Sequence, residues 1–163
     1  QIEASTLMLS TNNIFSTANG NPSVTPSQDI VLGCFYLTTE KDGEKGNGMC
    51  FTGPVEVFRA FDEGKVGIHA RVRVRFPEGL AIVHKEGRTT SSTTPIDTTV
   101  GRVIFNDILE EVLPFYNVVM NKKQLNRIIM EYYKVMGWQA NVQFLDRLKE
   151  IGIKYATKSG MSL

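Results

Sequence analysis

The sequence predicts an α+β fold: helices, a small antiparallel sheet and then a C-terminal helical hairpin. Two patterns carry this prediction. Between Ile68 and Phe76, apolar residues alternate strictly with a histidine and three arginines, which is the period of a half-buried strand. In the last third, apolar residues recur at helical spacing on both sides of Gly137. We divide the chain accordingly into an α+β part, residues 1–120, and a hairpin, residues 121–163.

The composition limits the classes of function that the chain can have. Its 163 residues are 42% hydrophobic and 21% charged, and 18 basic against 17 acidic residues leave a net charge of +1. That is enough apolar material for a compact domain, and the near-neutral charge excludes a general attraction to nucleic acid or anionic membranes. Because no secretory signal or apolar run of membrane-spanning length occurs, we expect a cytoplasmic protein. The start at Gln1 without Met leads us to expect a fragment of a longer polypeptide.

Cysteine and histidine usage argues against a zinc site. Cys34 and Cys50 are too few for a disulfide framework and form no Cys-x-x-Cys pair. His69 and His84 lie far from both cysteines in the sequence, and neither has neighbours arranged as in a catalytic triad. We therefore expect both histidines to be surface residues.

The first elements are predicted to be a helix end, a loop and a helix. Residues 1–10 are good helix formers, whereas residues 11–26 are rich in Asn, Ser, Thr, Gly and Pro and predict a loop. A helix is expected to begin at Ser27, which can cap its free amide groups, and Asp29 favours its positive end. Its predicted apolar stripe is Ile30, Val31, Cys34 and Phe35.

The middle of the chain alternates short elements with turns. Residues 40–49 are a charged, glycine-rich loop, and a short helix that begins at Pro54 is expected to stop at Gly64. Strands are predicted at Ile68 to Phe76, at Leu80 to Val83, at residues 88–95 as a ragged edge, and at Thr98 to Phe105. The sheet therefore lies at about residues 68–105.

The last third is predicted to form two helices. The first ends at Gly137, the second begins near Asn141, and Trp138 between them is expected to anchor a core or an interface. The apolar residues at helical spacing are Leu125, Ile128, Ile129, Tyr132 and Met136 in the first helix, and the second helix carries Phe144, Leu145, Leu148 and Ile151.

Arg71, Arg73 and Arg75 share one face of the clearest strand. They could bind phosphates, or they could form the solvent-exposed face that antiparallel sheets normally have. No aromatic residues alternate with these arginines, and most arginines in proteins are exposed to solvent. We therefore favour the solvent-exposed face over a phosphate-binding site.

The polar stretch over residues 10–29 is the most function-like feature of the sequence. Its side-chain amides could line a wet channel or hold substrate oxygens, or they could satisfy backbone groups of the loop. The residues alone do not favour one of these two interpretations over the other. The amides that concern us belong to Asn12, Asn13, Asn19 and Gln28.

The same stretch begins a resemblance to a known family that covers essentially the whole chain. In order along the sequence, its motifs resemble the segment that follows the catalytic loop in the beta-prime subunits of bacterial RNA polymerases. They are Leu9-Ser10-Thr11-Asn12-Asn13-Ile14, Ala18-Asn19-Gly20, Pro22, Pro26-Ser27-Gln28-Asp29, Gly48, Thr52-Gly53-Pro54, His69-Ala70-Arg71-Val72, Val74-Arg75, Thr98-Thr99-Val100-Gly101-Arg102 and Tyr155-Ala156-Thr157-Lys158-Ser159-Gly160. A pattern this long and ordered is far more specific than a lone glycine motif.

The resemblance implies a place in the pore domain beside the secondary channel, through which nucleoside triphosphates enter and the 3′ end of RNA extrudes during backtracking. Gln28 matches the family glutamine that faces the active-site end of this channel. Asn12, Asn13 and Asn19 are expected to brace the same wall. The implied partners are the other polymerase subunits, the rest of the beta-prime chain, DNA, RNA and nucleoside triphosphates, and no membrane.

The implied chemistry is DNA-directed nucleotidyl transfer by the parent enzyme, with no catalytic residue in this chain. The family's magnesium ions are bound by an Asp-Phe-Asp-Gly-Asp loop that this sequence lacks, so we expect no cofactor here and an inactive isolated fragment. A first departure from the family is Thr17, which replaces a proline and leaves that turn less rigid.

A second departure concerns the hairpin, which in some members helps to bind guanosine tetraphosphate through a lysine, an isoleucine, an aspartate and a tyrosine. The aligned residues here are Gln139, Gln143, Asp146 and Glu150, so only the aspartate is kept. Because a cation is lost and an anion is gained, binding of this highly charged ligand is opposed. We hypothesise that the site is not functional.

The alternative function, from another class, is an autonomous, non-enzymatic module that binds protein or RNA by itself. The flanking coding sequence distinguishes the two hypotheses. An aspartate loop encoded just before Gln1 supports the polymerase, whereas a Met codon and a stop codon bounding the chain support the module.

Overall fold

The structure, a computed structural model, describes residues 15–17 and 24–160. Its helices are α1 (Gln28–Thr38), α2 (Pro54–Asp62), α3 (Val100–Asp107) and α4 (Lys122–Lys158). Its strands are β1 (Phe15–Thr17), β2 (Val24–Pro26), β3 (Cys50–Phe51), β4 (Arg71–Val74), β5 (Ala81–Val83), β6 (Thr89–Ser91), β7 (Ile96–Thr99) and β8 (Phe115–Tyr116), with a short 3-10 helix at Lys85–Gly87. The predicted α+β class is confirmed, and the helix predicted at residues 1–10 lies outside the described residues.

The chain divides into two compact units. The sheet unit comprises residues 37–119, and the helical unit comprises the described parts of residues 1–36 and 120–163. The predicted division of the chain after residue 120 remains a prediction.

The sheet unit contains two three-stranded sheets, in which β4 lies between β3 and β7, and β5 lies between β6 and β8. The pairs β4–β7 and β5–β6 are antiparallel, as expected. The pairs β3–β4 and β5–β8 are parallel, so both sheets are mixed. The sequence did not predict β3 or β8, because a strand of two residues is too short to show an alternating pattern.

The strict alternation in β4 has the predicted consequence. Val72 and Val74 are buried, whereas Arg71 and Arg73 are exposed. The buried valines belong to one apolar core, in which the rings of Phe76 and Phe115 lie with centroids 4.6 Å apart. The other members of this core are Val57, Ala60, Val66, Ala70, Ile82, Val100 and Val103.

The strand predicted from Thr98 to Phe105 is wrong beyond Thr99, because β7 ends there and α3 begins at Val100. The Thr99 side chain accepts a hydrogen bond from the Arg102 backbone amide at 3.1 Å, which caps the helix N-terminus. The β-branched residues of α3 are typical of strands, which is why the sequence suggested one here. The capping side chain of Thr99 favours a helix start in spite of them.

Gly101 in the first turn of α3 is required by a close backbone approach. A Cβ atom at this position would lie 1.8 Å from the backbone oxygen of Leu37. Only glycine therefore fits between α3 and the chain at Leu37.

In the helical unit, α1 and α4 also approach each other backbone to backbone. A Cβ atom at Gly33 would lie 1.6 Å from the Gly152 oxygen, and one at Gly152 would lie 2.9 Å from the Cα of Ile30. The two glycines thus let the helix axes come closer than side chains would allow.

Helix α4 is a hairpin of two arms. Its continuity is broken at Gly137, whose φ of 83° and ψ of −179° are not helical. The arms pack on each other, since the rings of Tyr132 and Phe144 stack with centroids 4.3 Å apart and Arg147 donates a hydrogen bond to the Tyr132 hydroxyl. The predicted hairpin and its break at Gly137 are confirmed. The second arm begins directly after the break and not near Asn141, which is fully buried inside the arm.

The prediction that both histidines are surface residues is wrong for His69. Only 2% of His69 is exposed, and its Nδ1 lies 2.8 Å from the backbone oxygen of Thr39. It precedes β4, where the alternation of the sequence would have placed it on the arginine face. The chain bends there, as the backbone hydrogen bond from Ala70 to Gly67 shows, so the strand pattern does not extend to it. His84 is half-buried, with its Nε2 2.7 Å from the Thr90 hydroxyl.

Candidate functional site

Gln28 stands at the start of α1, as predicted. The backbone amide of Val31 donates to the Ser27 oxygen at 3.1 Å, which is the first turn of the helix, and Asp29 lies in the same turn. Gln28 is exposed, and its side chain makes no hydrogen bond to the residues that the structure describes. Because a side-chain amide both donates and accepts, Gln28 is available to a ligand of either kind.

The other three predicted site residues, Asn12, Asn13 and Asn19, lie outside the described residues. The described parts of the predicted loop at 11–26 are not irregular, since β1 and β2 pair in antiparallel register. In this register Phe15 is opposite Pro26 and Thr17 is opposite Val24. β2 ends at Pro26, so only Ser27 separates it from Gln28, the first residue of α1.

Behind Gln28, one face of α1 is buried. Ile30, Cys34 and Leu37 are fully buried, whereas 45% of Phe35, predicted to share this stripe, is exposed. Burial raises the pKa of the Cys34 thiol well above its ordinary value, because the thiolate would lose its hydration. Cys34 is therefore a packing residue and not a nucleophile.

Arg71 and Arg73 of β4 lie on a solvent-exposed face, which is the interpretation that we favoured from the sequence. Arg71 forms ion pairs with Asp42 and Glu40, and Arg73 forms one with Asp97 at 2.9 Å. The hydrogen bond that Arg71 donates to Asp42 raises the pKa of Arg71, and the one that Arg73 donates to Asp97 raises the pKa of Arg73. At Arg71 and Arg73 a phosphate would have to displace these carboxylates, and Arg75, beyond the end of β4, is the one exposed arginine of the three without an ion pair in the described part of the chain. One available cation does not favour a nucleic-acid interface on this face.

Arg102 is an arginine whose role the sequence did not reveal. Its Nε donates to the backbone oxygen of Thr38 at 3.0 Å, at the C-terminal end of α1, and its guanidinium reaches the Asn117 side-chain oxygen at 3.3 Å. Burial lowers its pKa, and Glu40 opposes this effect in part. Arg102 thus neutralises the partial negative charge at a helix end, which is a structural role.

The four residues that we expect to align with an alarmone site lie on the second arm of α4. Gln139, Gln143 and Glu150 are exposed, and Asp146 is half-buried. Their spacing of four, three and four residues puts them on one face of this helical arm. Two of these four residues are carboxylates, and none of the four is a cation.

The described part of the chain contains no group of three or more His, Cys, Asp or Glu side chains that could hold a metal ion. Over the same residues, no helix has both the length and the apolar character needed to cross a membrane.

Comparison with known proteins places these features in a family. The model of the family described as RNA polymerase Rpb1, domain 3, matches residues 13–163. This match includes the β1–β2 hairpin, Gln28, the sheet unit and both arms of α4.

Individual relatives are similar over the entire chain. The DNA-directed RNA polymerase subunit beta' of Xanthomonas campestris pv. campestris (strain B100) is 44% identical over 165 aligned positions that cover 100% of this chain. The subunit beta' of Stenotrophomonas maltophilia (strain K279a) is also 44% identical over 100% of this chain. In both cases the chain spans 12% of the length of the relative.

Proposed function

The chain belongs to the family described as RNA polymerase Rpb1, domain 3, and from this premise we propose that it serves in transcription as part of the beta' subunit of a DNA-directed RNA polymerase. The observation that carries the proposal is identity along the full chain and not at one motif. The proposed activity of the parent enzyme is DNA-templated nucleotidyl transfer. The proposed partners are the other polymerase subunits, the rest of the beta' chain, DNA, RNA and nucleoside triphosphates.

Within the parent enzyme, we assign this chain to the wall of the secondary channel. Gln28 supports the assignment because its amide is exposed at a fixed helix start and is not used within the described residues. A side-chain amide can donate to a phosphate oxygen and accept from a ribose hydroxyl, so it suits both an incoming nucleotide and an extruded RNA end. Asn12, Asn13 and Asn19 are proposed to brace the same wall.

The chain is proposed to shape this passage without performing the chemistry. Its described residues contain no cluster of three or more His, Cys, Asp or Glu side chains that could hold a metal ion, and we assign the reactive centre to other parts of the beta' subunit. We expect the purified 163-residue chain to be inactive. Incorporation of labelled nucleotide into a primed template by this chain alone would overturn the assignment.

The decisive test is Gln28→Ala in the assembled polymerase. Loss of one hydrogen bond worth about 0.5–1.5 kcal/mol is expected to raise the KM for nucleoside triphosphates by about twofold to tenfold and to change the rate of cleavage of backtracked transcripts. The measurement is single-nucleotide elongation at several nucleotide concentrations, followed by a cleavage assay on a stalled complex.

Gln143→Ala is the matched control, because Gln143 is also an exposed helical glutamine but lies on α4. It is expected to leave elongation and cleavage unchanged. If Gln28→Ala behaves like Gln143→Ala in both assays, Gln28 is not a contact of the channel, although membership of the beta' subunit is not affected.

We also propose that the hairpin does not bind guanosine tetraphosphate. The aligned residues Gln139, Gln143, Asp146 and Glu150 include two anionic side chains, and none of them is a cation. Equilibrium binding of the labelled alarmone to the assembled polymerase should show unchanged affinity when Asp146, the one residue kept from the family site, is changed to Ala. Cross-linking of the alarmone to this arm would contradict the proposal.

The rival function, an autonomous interaction module, is separated from this proposal by the coding sequence around the chain. An Asp-Phe-Asp-Gly-Asp loop encoded shortly before Gln1 is the expected result. A Met codon and a stop codon bounding these 163 residues would instead support the module.

A further inference from the structure

A groove on the sheet unit has apolar walls. It encloses about 380 Å³, which is within the range of binding sites for small groups. Aromatic and aliphatic side chains provide most of its lining, among them Phe58, Phe76, Leu80, Leu113 and Phe115. Such walls favour an occupant with a bulky apolar group, because its burial removes apolar surface from water.

The polar groups of the groove are Asn106, Asp107 and Glu111. The Asn106 amide is already used, since it donates to the Arg102 and Tyr116 oxygens at 2.7 and 3.1 Å and accepts from the Tyr116 amide at 2.8 Å. Within the described residues, the side chains of Asp107 and Glu111 form no hydrogen bond or ion pair. The groups left for an occupant are therefore two carboxylates.

The position of Asp107 strengthens this negative character. It is the last residue of α3, where the helix dipole adds partial negative charge to that of the carboxylate. An anionic occupant, such as a nucleic-acid phosphate or an acidic lipid headgroup, would be repelled at this edge of the groove. A cation attached to an apolar body is the complementary ligand.

We propose that this groove is a docking site for a segment of a partner protein in which a bulky apolar side chain is followed by Arg or Lys. The apolar side chain lies between the Phe58 and Phe115 walls, and the cation pairs with Asp107 and Glu111. This pattern is one of the ways in which protein segments are recognised, with an apolar anchor at the centre and charged groups at the rim. The inference does not depend on the proposed role in a polymerase.

Three blocked peptides that differ only in their third residue test the docking site: acetyl-Leu-Phe-Arg-amide, acetyl-Leu-Phe-Gln-amide and acetyl-Leu-Phe-Glu-amide. Each is titrated into the isotope-labelled 163-residue chain, and amide chemical shifts are followed by NMR. The arginine peptide is expected to bind about threefold to fivefold more tightly than the glutamine peptide, as a partly exposed ion pair allows, and the glutamate peptide most weakly. The shifts should be confined to residues around the groove.

The double variant Asp107→Asn/Glu111→Gln is expected to bind the arginine and glutamine peptides equally. The control Asp62→Asn/Glu86→Gln removes the same charge from two exposed residues of the sheet unit that do not line the groove. It should keep the preference for arginine. Dispersion of the amide signals shows whether each variant is folded.

Leu80→Ser tests the apolar part separately, since Leu80 is half-buried and packs against the outside of the core instead of belonging to it. All three peptides are expected to lose affinity by a similar factor. The proposal is overturned if none of the peptides shifts signals of the groove at millimolar concentration. It is also overturned if the unaltered chain binds the arginine and glutamate peptides equally.

Discussion

The two units of the chain bring their helices into place by different means. In the sheet unit, buried side chains such as Val57 and Val103 pack α2 and α3 into the core that contains the valines of β4. In the helical unit, α1 and α4 approach until Gly33 and Gly152 meet backbone to backbone. Side-chain packing spreads stabilisation over many contacts, whereas the backbone approach depends on two positions that must lack a side chain. One added methyl group should therefore harm the helical unit more than the loss of two methyl groups harms the sheet unit.

The largest effect is expected for Gly33→Ala. Its Cβ atom would lie 1.6 Å from the Gly152 oxygen and 2.5 Å from the Gly152 carbonyl carbon, so a backbone and not a flexible side chain would have to move. We expect the free energy of unfolding to fall by about 3 kcal/mol or more. Urea unfolding followed by the fluorescence of Trp138, the single tryptophan, reports this change in the helical unit.

Gly53→Ala is the matched control for this substitution. A Cβ atom at Gly53 would meet nothing within 4 Å, and its φ of −178° is extended backbone that any residue adopts. The free energy of unfolding should change by less than about 1 kcal/mol. If Gly33→Ala costs no more than this control, the backbone approach is not what limits the packing of α1 on α4.

Val74→Ala tests the sheet unit, and we expect an intermediate loss in the free energy of unfolding. Val74 is fully buried in β4, and its replacement removes two methyl groups from the core. The loss of apolar burial and the small cavity that remains are expected to cost about 2 kcal/mol. Hydrogen exchange of the β4 and β7 amides measures this loss within the sheet unit. A cost above that of Gly33→Ala would reverse the order proposed for the two units.

The same contrast explains which parts of the fold the sequence could predict. The hairpin of α4 was predicted because its apolar residues repeat over two long arms and Gly137 marks the break. The sheets were predicted only in part, since β3 and β8 owe their pairing to tertiary contacts and leave no pattern in two residues. The misassigned strand after Thr99 shows that a capping side chain can outweigh a run of β-branched residues.

Of the candidate sites, the sequence predicted the helix start at Gln28 but not the groove. The helix start at Gln28 followed from local chemistry, because Ser27 and Asp29 favour the first turn. The groove did not follow, because Phe58, Leu80 and Phe115 come from distant parts of the chain and only the fold brings them together. The burial of His69 was missed for the same reason, since it depends on contact with Thr39, thirty residues away.

The smallest expected effect concerns the pH dependence of the sheet unit and involves His84. Burial, and to a lesser extent the nearby charge of Arg88, lower the pKa of this imidazole below its ordinary value. As the pH falls, the unfolded chain therefore takes up this proton before the folded chain does, and the free energy of unfolding decreases. The decrease begins near the unfolded pKa of about 6.5 and is complete below the folded pKa. It is small because the half-buried ring remains partly hydrated.

His84→Gln isolates this contribution. The glutamine keeps a hydrogen-bonding group near the Thr90 hydroxyl, which lies 2.7 Å from the His84 Nε2, but does not titrate. All other ionisable groups are present in both proteins, so the difference in their free energies of unfolding between about pH 5 and about pH 8 reports His84 alone. We expect the histidine protein to lose stability relative to the variant on acidification. A relative gain would mean that the charged imidazole is favoured in the fold, and that burial does not control this residue.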